Sequence, residues 1–124
     1  MQYLADTNVF LWYITGNNKL PENIRNQIES NKKELSLSMA SIWELGLKNA
    51  KGLLHLEGEF SVFLQNYIYK TGIKIIPITI EHIEISVVLP FHHRDPFDRL
   101  IFAQSKAEKI EFLFTDDIFF KYRI

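Results

Sequence analysis

Apolar residues in this chain come in short runs of strand-like length, separated by stretches where they recur at helical spacing. Residues 2–5 read as a buried strand. Thr7 or Asn8 can cap the helix that follows over 9–14, and Gly16 can end it. Pro21 suits the first turn of a second helix, with Ile24 and Ile28 at i, i+4. Residues 34–38 alternate like a strand, and Ser41 offers a cap before Ile42-Trp43-Glu44 opens a third helix, Trp43 reading as core. Phe60, Phe63, Leu64, Tyr67 and Ile68 draw the cleanest helical stripe, stopped by Gly72. A third strand over 73–78 leads through Thr79 to a short helix, 81–89. Asp95-Pro96 begins the last long helix, running to about Lys109. A fourth strand, 112–114, precedes the aromatic tail Phe119, Phe120 and Tyr122.

Strands separated by helices predict an α/β fold with a parallel sheet and helices on both faces. The expected architecture is a three-layer α/β/α domain, 1–124, around a central parallel sheet of about four to five strands. At 124 residues the chain has room for one core and not two. Hydrophobic residues make up 47% of it, which excludes a disordered chain, and the formal charge of −1 lacks the basic excess of a general nucleic-acid coat. Without cysteine there is no disulfide, thiolate nucleophile or Cys-based zinc site. Asp6 interrupts any leader-like segment, and the longest apolar run, 9–14, is far short of a membrane span, so a soluble, cytoplasmic protein is expected, with no membrane partner.

The chemistry lies in the acids. Asp6, Glu44, Asp98 and the Asp116-Asp117 pair each follow a strand-like run or sit on the first turns of the next helix. In an open α/β sheet ligands bind beyond the carboxyl ends of the strands, so acids from four segments would converge there. Converging carboxylates raise one another's pKa unless a cation lies among them, and the fitting cation is a hard divalent one, Mg²⁺ or Mn²⁺.

Each acid also has a bland reading. Asp6 could be a helix cap, and Glu44 with Lys48 a surface i, i+4 pair. Asp95 as cap, Pro96 at the first helical position and Asp98 near the positive helix end explain that segment without function. Asp95 can cap while Asp98 points into the cleft. His92, His93 and Arg94 add positive charge, but adjacent histidines diverge, which disfavours the pair as metal ligands. Asp116-Asp117 could be a turn, and only one of the two can face inward. A haloacid-type phosphatase would need an acid where Asn8 stands, and a receiver domain an acceptor after the third strand, where 75–79 has none.

With these residues the chain resembles a PIN-domain ribonuclease, specifically a VapC-type toxin of a bacterial type II toxin–antitoxin pair. The resemblance spans essentially the whole length. It rests on Tyr3-Leu4-Ala5-Asp6-Thr7-Asn8-Val9, on Ser38, Ser41, Trp43, Glu44 and Lys48 at family spacing, and on His93-Arg94-Asp95-Pro96-Phe97-Asp98-Arg99 with Ile101, Ala103 and Gln104. Thr115, Asp117 and Tyr122 close it. The resemblance implies a PIN-like fold whose acids bind one or two Mg²⁺ or Mn²⁺ ions and cleave single-stranded or structured RNA of the tRNA or rRNA class. It further implies a cognate antitoxin protein and allows a homodimer. Asp6, Glu44 and Asp98 match the three near-universal acids. For the fourth, the Thr-x-Asp pattern selects Asp117, whereas spacing from Tyr122 selects Asp116; the pattern is preferred. Lys48, Arg99 and Asn8 are candidates for phosphate contact or charge balance. Gly52-Leu53-Leu54 departs from the Gly-Lys-Leu that relatives often carry, removing one basic contact. Two other readings remain: an RNA-processing nuclease of the same chemistry without an antitoxin, and a non-catalytic PIN-fold binding module, whose mark would be loss of an acid.

Overall fold

The computed structural model describes residues 2–122. Four parallel strands, β1 (Tyr3–Ala5), β2 (Leu35–Ser38), β3 (Lys74–Ile76) and β4 (Glu111–Leu113), form one sheet in the order β3-β2-β1-β4. Register is direct, Ala5 lying opposite Leu37 on one side and Leu113 on the other.

The alternation of side chains along each strand divides the interior into two cores. Tyr3 and Ala5 of β1, Leu35 and Leu37 of β2 and Leu113 of β4 face one side. There they meet α1 (Thr7–Thr15), α2 (Glu22–Ser30), α3 (Met39–Ala50) and α4 (Phe60–Leu64) through Val9, Phe10, Ile28, Leu45 and Phe63. Leu4, Ile76 and Phe112 face the other side, against Ile101 and Phe102 of α6 (Pro96–Glu108) and Phe119 and Tyr122 of the 3-10 helix Asp117–Tyr122. The remaining α-helix, α5 (Ile80–Val88), packs chiefly on α6. Gly46 lets α3 approach closely: a Cβ there would meet the Phe60 ring at 3.1 Å.

Several local expectations change. The cap of α1 is Asp6, not Thr7 or Asn8, its Oδ1 accepting from the Thr7 N–H at 2.8 Å. The cap of α3 is Ser38, three residues before Ser41, and Ser41 is instead buried, accepting a hydrogen bond from the Thr7 hydroxyl at 2.8 Å. Pro21 precedes α2 as its cap. The stripe from Phe60 to Ile68 begins as α4 but widens into a π turn over Gln65–Tyr69, leaving Tyr67 partly exposed. Trp43 is not core: it is 60% exposed, braced edge-on by Phe97 at 5.2 Å. No described helix is long and apolar enough to cross a membrane.

Candidate active site

Parallel strands end at one edge, and the acids gather beyond it. Asp6 follows β1 directly, and its backbone N–H continues the β1–β4 ladder by donating to Leu113 at 2.9 Å. Glu44 sits on the second turn of α3, just beyond β2. Asp95 and Asp98 are the cap and third residue of α6, and Asp116 follows β4. One carboxylate oxygen each from Glu44, Asp95 and Asp98 lies within 4.8 Å of the others. Asp6 feels the charges of Glu44, Asp116 and Asp95.

Burial and mutual repulsion leave their mark on two of these groups. Burial pushes the Asp98 carboxyl up to about 8, with Asp6, Asp95 and Glu44 adding to the rise and Lys48 opposing it. Burial likewise raises Asp6 to about 6; the Thr7 N–H pulls it back, and Glu44, Asp116 and Asp95 raise it further. Glu44 is 5% exposed, and Lys48 Nζ lies 3.0 Å from its Oε2. Its other oxygen, Oε1, is buried and has no hydrogen-bond partner. His93 Nε2 lies 3.0 Å from Asp98 and 3.3 Å from Asp116. A buried carboxylate oxygen without a donor, beside two acids whose pKa values burial and mutual repulsion raise, suits a hard divalent cation with oxygen ligands.

Over residues 3–124 the chain matches the family model of the PIN domain. It belongs to the PIN-domain family. No match is found among curated proteins. Among solved structures, this PIN domain is similar to a chain of VapBC2 from Rickettsia felis, solved bound to a DNA fragment from their promoter. The superposition has a TM-score of 0.71 at 19% identity and covers 98% of this chain and 93% of that one.

The structure brings Asp6, Glu44, Asp98 and Asp116 of this PIN domain together. Asp117, preferred from the Thr-x-Asp pattern, is exposed and opens the 3-10 helix; it is Asp116 whose carboxylate reaches His93. Asp116 is itself about half exposed; its Oδ1 accepts from the Ile118 N–H at 3.0 Å while its Oδ2 lies 3.3 Å from His93 Nε2. Arg99 is likewise corrected. It is buried, its guanidinium donating to the carbonyls of Ser86, Leu89, Pro90 and His93, so it closes the end of α5 and is unavailable to phosphate. Lys48 remains beside Glu44, partly exposed, and Asn8 is exposed on α1.

The roles of two members escaped sequence reasoning. Asp95 caps α6 with Oδ1, donors being the Phe97 and Asp98 N–H groups, yet it also belongs to the acid cluster. Its i, i+3 spacing to Asp98 was the available signal. His93 was legible as positive charge beside the acids and as part of the family motif, but its contacts with Asp98 and Asp116 depend on a loop conformation.

Proposed function

We propose that this PIN domain is an Mg²⁺- or Mn²⁺-dependent endoribonuclease acting on RNA of the tRNA or rRNA class, and the toxin of a toxin–antitoxin pair. The observation that carries the reading is the unpartnered, buried Glu44 Oε1, grouped with Asp95 and Asp98 and within the electrostatic reach of Asp6. Asp6, Glu44, Asp98 and Asp116 would hold the cation, with Asp95 beside them. When bound, such a cation supplies Lewis acidity toward phosphoryl oxygens and lowers the pKa of water for in-line attack.

The chain's own residues do the rest. Asp98, raised to about 8, would hold a proton at neutral pH that cation binding would have to displace, whereas Asp6, at about 6, would be mostly ionised there and ready to act as a ligand. Lys48 balances Glu44 and remains partly exposed. Trp43, exposed and braced by Phe97 of α6, offers a flat face suited to stacking an unpaired base.

A cognate antitoxin is supported by the likeness to the VapBC2 complex. A homodimer is supported by α5, where Ile80, Ile83, Val87 and Val88 are exposed; a solution mass of one chain at micromolar concentration would remove it. The decisive test is incubation of purified protein with total tRNA and rRNA in Mg²⁺, Mn²⁺ or EDTA. Discrete fragments that require metal and vanish in Asp6→Asn and Asp98→Asn are expected. Metal-independent fragments, or equal cleavage by both variants, would refute the reading. A protein that binds Mn²⁺ and cleaves nothing would favour the binding module.

A further inference from the structure

His93 stands between acids contributed by two different elements. It lies in the loop before α6, and its ring packs on Phe119 at 5.1 Å. Its backbone N–H donates to the Tyr122 hydroxyl at 2.9 Å, tying that loop to the 3-10 helix. Its Nδ1 lies 3.1 Å from the Asp95 backbone N–H, a group that can only donate. Nδ1 must therefore present a lone pair, and the ring proton resides on Nε2. That nitrogen is buried 3.0 Å from Asp98 Oδ2 and 3.3 Å from Asp116 Oδ2, in line with neither. Its N–H lies between the two carboxyl groups, close to both and hydrogen-bonded to neither.

The tautomer separates two roles. A ring nitrogen that ligates a cation must offer its lone pair, so ligation through Nε2 would move the proton to Nδ1 and set two N–H groups against each other at Asp95. We infer that His93 is a positioning residue of the metal site, holding Asp98 on α6 and Asp116 after β4 at a fixed separation through Nε2–H. The inference rests on the metal-site reading given above and deepens it.

The test is Mn²⁺ binding to the full chain by electron paramagnetic resonance, comparing wild type, His93→Asn and His93→Gln. Glutamine can return an N–H near the Nε2 position; asparagine cannot reach it. Partners that orient ligands typically change metal affinity by about 10- to 100-fold, so His93→Asn should weaken binding by that factor while His93→Gln restores most of it. Pulsed measurements on the wild type should show no directly bound imidazole nitrogen. Equal Mn²⁺ affinity in all three proteins would reduce His93 to packing, and a directly bound nitrogen lost in His93→Gln would make it a ligand. If His93→Asn fails to fold, the glutamine variant and the nitrogen signal still decide. A wild type that binds no Mn²⁺ would instead overturn the metal site itself, whatever the variants do.

Discussion

Replacing Asp98 with asparagine should stabilise the metal-free protein although it removes a site residue. The Asp98 side chain is 19% exposed, and its carboxyl is lifted from 3.8 to about 8. In the unfolded chain it ionises near its ordinary value. A carboxyl raised on folding binds its proton more tightly in the native state, so stability is highest at low pH. It falls as pH climbs through the unfolded value and levels off only above the folded one, a window from about pH 4 to pH 8. Each tenfold change in proton affinity is worth about 1.4 kcal/mol, so the cost reaches a ceiling of about 4 kcal/mol at pH 7.

Asparagine escapes that cost at every pH. Against it stands the weakened contact with His93, about 1 kcal/mol; the carboxyl is mostly protonated at pH 7, so no charge at the start of α6 is lost. Coupling to Asp6 and residual solvent lower the ceiling further. Asp98→Asn should therefore be about 1–3 kcal/mol more stable than wild type in EDTA at pH 7, with little or no gain near pH 4. With Mn²⁺ at a hundredfold excess over its dissociation constant the wild type gains about 2.7 kcal/mol, most of which the variant forgoes, so the gap should close or invert. Urea denaturation followed by circular dichroism, in EDTA at both pH values and in Mn²⁺ at pH 7, measures all three. A variant less stable than wild type in EDTA at pH 7, or a gain independent of pH, would refute the argument.

Two further outcomes separate structural from functional roles. Arg99→Lys replaces a fork serving four carbonyls with one ammonium and should cost about 2–4 kcal/mol in urea denaturation; wild-type stability with lost cleavage would return Arg99 to phosphate binding. Trp43→Ala should change stability by less than about 1 kcal/mol because the ring is mostly exposed, yet raise the KM for RNA. An unchanged KM would remove the stacking role.

Element order was legible because strand and helix periods differ and because Gly16, Gly72 and Asp95-Pro96 punctuate the chain. The convergence of Asp6, Glu44 and Asp98 followed from topology alone, since parallel strands end at one edge. What escaped depended on geometry within a few residues. Nothing in the spacing distinguishes Asp116 from Asp117 until the turn hydrogen bond to Ile118 orients one of them. Arg99 looked like a phosphate ligand because it neighbours Asp98, but successive helical residues diverge by roughly 100°, and that rotation buries it beneath α5. Trp43 looked like core on hydrophobicity alone; its neighbours on α3 fill the interior and leave it outside.

The sheet order has a consequence for when this protein can act. β1 lies between β2 and β4, and Tyr3 pairs with Glu111, so the central strand gains its second neighbour only after the more than one hundred residues between them have been made. Asp116 arrives later still, and the Tyr122 hydroxyl that holds the His93 loop later again. Nascent chains emerge in order from the N-terminus, at about 5–20 residues per second. A half-made copy therefore carries Asp6 and Glu44 without the groups that complete the cluster. If the chain cuts RNA, strand order alone delays its activity until β4 and the residues that follow it have been made.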